Sequence, residues 1–142
     1  MEYFDVYDKY GNKTGKTIER GTPLKTHEYI KIIHVWIEHS NGEYLIQKRA
    51  KKDDAIPHQW AITTGAVTQG ETAQEAALRE LHEELGLTFK ERDLTVLDTF
   101  TSRRLKFHTI TTVFHIQKDI DLNTITIDPK EVLAVRYESL DN

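Results

Sequence analysis

The sequence predicts one α/β domain in which strands far outnumber helices. Three observations carry this: six strand-like runs, one well-marked helix, and a length of 142 residues. That length suits a single core and leaves little room for two. The runs YFDVYD, YIKIIHVWIEH, EYLIQKRA, DLTVLDTFTS, KFHTITTVFHIQ and EVLAVRYESL are each rich in β-branched and aromatic residues. Between them lie the Asn, Gly and Asp that tight reversals need. DKYGNKTG marks segment 1–25 as a β-hairpin added to the core, and HSNGE joins the second and third runs as another hairpin. The chain contains no repeat, linker or low-complexity tract.

The helix spans residues 72–85. Thr72 and Glu75 are spaced to cap one another's backbone N–H groups, and Gly86 supplies the stop. On a helical wheel Leu78, Leu81 and Leu85 form an apolar stripe for the core. Glu80, Glu83 and Glu84 fall on a neighbouring face, interleaved with Ala73, Ala76 and Ala77.

Composition narrows the chemistry. The 19 basic and 23 acidic residues are interspersed, with a formal net charge of −4, which argues against a nucleic-acid or membrane surface. The absence of cysteine excludes disulfides, thiolate zinc sites and cysteine nucleophiles, so any metal must take oxygen or histidine ligands. None of the seven histidines shows metal-ligand spacing, and His82 reads as solvated. With no apolar leader and no membrane span, the expectation is a soluble, cytoplasmic protein.

The crowding of acids into the last turn of the helix is unfavourable in isolation. Like charges three or four residues apart typically cost roughly 0.2–0.5 kcal/mol per pair, and an acid at a helix C-terminus opposes the dipole. A divalent cation against that face would turn both penalties into binding energy. Oxygen-only ligation favours Mg²⁺ or Mn²⁺. The plainer reading is a solvated acidic surface with Arg79 as a salt-bridge partner. Against it stand the small alanines beside the acids and the loop TTGAVTQGE, which could bring backbone groups to a phosphate.

Gly65, five residues, Glu71, seven residues and then RELHEELGL resemble the signature of the Nudix hydrolases at every fixed position. That resemblance implies Mg²⁺- or Mn²⁺-dependent hydrolysis of a nucleoside diphosphate linked to another moiety, a small-molecule diphosphate substrate. It implies metal ligation by Glu80, Glu83 and Glu84, with the Thr64 carbonyl as a further ligand. Arg79 would orient the glutamates and Glu71 would brace the loop or ligate through water. Gly65, Gly70 and Gly86 would be conformational, and Leu81 and Leu87 core residues. Glu83 and Glu131 are the candidates for the base that deprotonates water, Glu131 being otherwise an ordinary loop acid. Lys48 and Arg49 are either phosphate contacts or surface cations, and Trp60 is a packing residue near the site or a stacking platform. Specificity would come from loops 50–60 and 101–108.

The whole chain is also similar to the branch of that superfamily near isopentenyl-diphosphate isomerase. The isomerase has a cysteine just before the loop glycine and a histidine just after it, where this chain has Thr64 and Ala66. Isomerisation is therefore a poorer reading than hydrolysis, and a nucleotide sensor is a third. The fold implied is an α/β/α sandwich with a mixed sheet. Its second helix would begin near YESLDN, so that helix is expected to be absent or truncated; either the chain is cut short or the bare sheet face is covered in a homodimer.

Overall fold

The computed structural model describes residues 2–50, 59–104 and 107–140. Strands β1 (Tyr3–Tyr7) and β2 (Lys13–Glu19) form an N-terminal hairpin. A seven-stranded mixed sheet follows, built from β3 (Ile30–Glu38), β4 (Tyr44–Arg49), β5 (Trp60–Ala61), β6 (Thr63–Ala66), β7 (Thr95–Arg104), β8 (Phe107–Gln117) and β9 (Val132–Glu138). At its centre β3 and β8 run parallel in unbroken register from Ile30↔Thr109 to Glu38↔Gln117. The other pairings, β7 with β8, β6 and β4 with β3, and β5 and β9 with β4, are antiparallel. The reversal between β3 and β4 is the one HSNGE predicts. His39 and Glu43 close it, and Gly42 takes a φ of +89°.

Helix α1 (Ala73–Leu85) is, among the described residues, the one α-helix, accompanied by two short 3-10 turns. Thr72 caps it through the reciprocal hydrogen bonds of a capping box, and Gly86 ends it in the left-handed region at φ +68°. Ala76, Ala77, Leu81 and Leu85 pack against Ile33, Val35, Ile37, Phe114 and Ile116 to make the main core. Burial of those side chains is the principal stabilising term of the domain.

Two expectations change. Leu81 and Leu85 reach that core as expected but Leu78 does not; the face that packs on the sheet carries those two leucines together with Ala76, Ala77 and Glu84. Small side chains let helix and sheet approach closely, and that approach takes the acids down with them. The segment TTGA, expected as loop, is strand β6, paired with β3 from Ile32↔Ala66 to Val35↔Thr63.

The hairpin has its own small cluster of Phe4, Val6 and Ile18, with Leu24, Ile30 and Ala66 packed on it. Backbone hydrogen bonds tie it down. Tyr7 and Tyr29 exchange a pair at 2.8 and 2.9 Å, Gln69 donates to the Tyr3 carbonyl at 2.8 Å, and Gly70 donates to Asp5 at 2.9 Å. The hairpin is thus fastened to the loop that feeds α1. No helix among the described residues is long and apolar enough to cross a membrane.

Candidate active site

A cavity of about 820 Å³ lies between the hairpin, β6, the last turns of α1 and the loop before β9. Arg49, Thr64, Gly65, Arg79, Glu80, Glu83, Glu84 and Glu131 all line it, so most of the residues singled out in the sequence converge there. His82, exposed as read, borders it too.

Arg79 organises the acids. Its Nε and Nη2 donate to the two oxygens of Glu71 at 2.7 and 3.0 Å, and Nη1 donates to Glu80 at 2.8 Å and more weakly to Glu83 at 3.4 Å. Nη2 also reaches the Ala66 carbonyl at 3.0 Å. Glu71 further accepts from the Thr68 amide and hydroxyl, which closes the loop onto the helix. Burial works against ionisation of Glu71, but the hydrogen bonds from Arg79 and Thr68 outweigh it and hold its pKa below the ordinary value.

Glu84 is only 4% exposed. Gln47 donates to it at 3.1 Å and is itself fixed by the Thr63 hydroxyl at 3.0 Å. Burial, then the nearby charge of Glu80, pushes the Glu84 pKa from 4.5 up to about 8. Glu80 is raised as well, chiefly by burial, against the pull of Arg79. The floor of the cavity therefore holds two adjoining carboxyls with too little positive charge to ionise both. Among the described residues, no three acidic or imidazole groups stand as a ready-made cage, since Arg79 engages Glu71, Glu80 and Glu83. The donor set is all oxygen, and its missing positive charge is what a hard divalent cation would supply. The residues fit Mg²⁺ or Mn²⁺.

This arrangement has a pH signature. A carboxyl whose folded pKa lies above its unfolded value leaves stability intact at low pH and loses it as pH rises toward the folded pKa. The Tm of the metal-free protein should fall between about pH 4.5 and pH 8, the interval through which Glu84 is raised. Added Mg²⁺ should recover more at pH 8 than at pH 5.5. Scanning calorimetry that finds a flat or rising Tm over that interval, or an equal Mg²⁺ effect at both pH values, contradicts the assignment.

Gly65 acts through space rather than backbone freedom. A Cβ there would sit 2.5 Å from the Glu80 carboxyl carbon and 2.7 Å from one of its oxygens. Gly70, with φ +81°, and Gly86 do need the conformation only glycine takes readily. Gly65→Ala must expel Glu80 from its place beside Arg79. Turnover should drop steeply while Tm changes far less, and wild-type turnover in this variant would disprove the close fit.

Strand alternation divides the neighbouring cations. Gln47 and Arg49 point to the helix side, where Arg49 donates to the Thr64 hydroxyl at 3.3 Å. Lys48 falls on the opposite face, in register with Trp60, whose ring lies 4.1 Å from the Arg136 guanidinium. Neither Lys48 nor Trp60 lines the cavity, so the structure does not bring these two expected substrate contacts to the site. The loop before β9 reaches it by satisfying the end of α1: Thr126 and Asp128 donate to the Leu85 and Glu84 carbonyls at 3.0 and 3.2 Å. That docking sets Glu131 at the cavity, close enough for its charge to act on Glu84.

Three polar residues were missed from the sequence: Gln47, Thr63 and Asp128. The signal for Gln47 lay in β4, where a polar side chain occupies an inward position two residues from the apolar Leu45. His58 and most of loop 50–60 lie outside the described residues, as do positions 105–106; the rest of 101–108, expected as a loop, is the paired ends of β7 and β8.

Comparison with known proteins agrees with this geometry. The NUDIX domain family matches residues 29–142. An uncharacterized Nudix hydrolase of Listeria monocytogenes is 35% identical over 141 residues, covering 96% of this chain and 79% of that protein. The nucleoside triphosphatase NudI of an Enterobacter species is 47% identical over 47 residues, a third of each chain. Among solved structures, DR0079 of Deinococcus radiodurans superposes with a TM-score of 0.78 at 21% identity, over 97% of this chain and 83% of that one, which speaks for the fold. A matched domain over four fifths of the chain and a relative aligned along nearly all of it place this protein in the Nudix hydrolase superfamily, as an enzyme of that family.

Proposed function

We propose that the protein hydrolyses a phosphoanhydride bond of a nucleoside diphosphate linked to another moiety, with Mg²⁺ or Mn²⁺ held by Glu80, Glu83, Glu84 and the Thr64 carbonyl. The observation that carries this reading is the adjoining pair of half-buried Glu80 and buried Glu84 at the floor of a cavity that Arg49 also lines. When bound, the metal would neutralise the diphosphate oxygens and lower the pKa of the attacking water. Arg79, itself held by Glu71, fixes the orientation of Glu80, and Gln47 fixes that of Glu84. Arg49 is placed to meet phosphate oxygens. Glu83, with a 56% exposed side chain, and Glu131, which lines the cavity, are the two acids that would take a proton from water.

Thr64 offers a hydroxyl, here accepting from Arg49, at the position where the isomerase needs an acid. Hydrolysis is thus favoured over alkene protonation. The match to a nucleoside triphosphatase over a third of the chain supports a nucleotide rather than a prenyl group beyond the phosphates.

The test is Mg²⁺-dependent turnover on a panel of nucleoside and prenyl diphosphates, products identified by mass, beside Glu83→Gln. Hydrolysis that disappears in the variant supports the proposal. Tight ligand binding with no turnover in the wild type would replace it with a sensor role.

We further propose a homodimer. Edge strand β7 leaves Val96 51%, Leu97 58% and Phe100 42% exposed, an apolar surface of the kind a second copy covers. Gel filtration should give twice the chain mass, and a stable monomer at micromolar concentration would refute it.

A further inference from the structure

The diphosphate end of the cavity is described above; its other end is built by the N-terminal hairpin. The matched family domain begins at Tyr29, so this wall is an addition to it. The hairpin and the segment after it contribute Glu2, Phe4, Arg20 and Leu24 to the lining, and Phe107 of β8 joins them. Arg20 is layered on Phe4, its guanidinium carbon 5.3 Å from the ring centroid, and Glu2 holds the Arg20 Nε at 2.6 Å. Phe4 is only 4% exposed, so what this stack presents to the cavity is a flat, pre-oriented guanidinium. Phe107, in contrast, is 71% exposed, an aromatic ring that no neighbour among the described residues buries.

We propose that this wall receives the nucleobase, with Arg20 and Phe107 as its two stacking faces. The proposal rests on the hydrolase reading above and names the residues that select the substrate at the same site. A guanidinium stacked on a phenyl ring offers a base a polarisable face, and Phe107 offers a second π-surface. Thr109 and the second carboxylate oxygen of Glu2 add hydrogen-bonding groups that suit the edge of a base better than an alkyl chain. The wall is also held in fixed relation to the metal ligands. Gln69 and Gly70, which the hairpin binds through Tyr3 and Asp5, lie just upstream of Glu71 and α1.

The experiment compares wild type, Arg20→Ala, Arg20→Lys and Phe107→Ala by calorimetric titration with ADP and with α,β-methylene-ADP in Mg²⁺, and by steady-state hydrolysis of nucleoside-diphosphate and prenyl-diphosphate substrates. Loss of a stacked contact corresponds to roughly tenfold in affinity or more. Arg20→Ala and Phe107→Ala should each weaken ADP binding by about that factor and raise KM for the nucleoside substrate more than they lower kcat. The preference for nucleoside over prenyl diphosphates should collapse in proportion. Arg20→Lys should behave like Arg20→Ala, because the charge remains and the flat face does not. Tm values near wild type verify that the hairpin still folds. An active wild type whose ADP affinity is unmoved by all three variants overturns the subsite and leaves the hydrolase reading intact. Preference for prenyl diphosphates in the wild type overturns the nucleobase. Failure of the hydrolase reading shows separately, as no turnover on either class.

Discussion

Glu84→Gln should yield a protein that is more heat-stable than the native chain at pH 8 without metal, yet hydrolyses its substrate at least roughly a hundredfold more slowly. Glutamine keeps the shape of the side chain and can still accept from Gln47, while its amide donates toward Glu80. It removes the group whose ionisation burial and Glu80 oppose. Residues that merely support a metal ligand typically change activity about 10- to 100-fold, so loss of the carboxylate proposed as a ligand belongs at or above the top of that range. The stabilising effect of Mg²⁺ should shrink with it, since a ligand stabilises only through what it gains on binding the folded state. Opposite signs for stability and activity are the diagnostic result. A variant that is both stable and within twofold of wild-type turnover would remove Glu84 from the catalytic machinery.

The second large effect concerns Arg79. Its guanidinium is the shared counter-charge for Glu71, Glu80 and Glu83 and caps the Ala66 carbonyl, with 24% of its side chain exposed. Removing one partner of a buried ion pair typically costs about 3–5 kcal/mol, because the other charge stays behind. For Arg79→Ala the lower end applies, about 3 kcal/mol, equivalent to a fall in Tm on the order of 10 °C for a chain of this size. Arg79→Lys should recover little, since an ammonium cannot grip both oxygens of Glu71 and also span to Glu80. Differential scanning calorimetry beside turnover checks this. A lysine variant with native Tm and native activity would mean that charge alone, and not the planar fork, organises the site.

The helix was legible because its signals are local: Thr72, Glu75 and Gly86 act within a turn of their own position. The signature residues were legible for the same reason. What α1 faces was harder to read. A wheel distinguishes stripes but not which stripe meets the sheet, and the leucine stripe looked the stronger candidate. Leu81 and Leu85 do reach the core, but the alanines share that face because close helix–sheet approach rewards small side chains, so Leu78 falls off it and Glu84 is buried. Strand β6 escaped notice because Gly65 and its threonines carry turn-like chemistry, while their pairing partner in β3 lies some thirty residues upstream. Lys48 and Arg49 are adjacent in sequence and opposite in space, a distinction of one residue in register. Trp60 is held by Arg136, a contact no local pattern encodes.

The parallel pairing of β3 with β8 joins residues 79 positions apart, as between Glu38 and Gln117. The elements that carry Arg49, Thr64, Gly65, Arg79 and the three glutamates of the helix end, β4 through α1, are threaded inside that closure. Contacts of such long range form slowly, because a large loop must be closed before the first of them is rewarded. Glu80 finds its place only against Gly65, and Gly65 only against β3, so the isolated helix and its acids carry no site during synthesis or early collapse. The proposed cation site would therefore depend on the finished chain topology rather than on the helix alone.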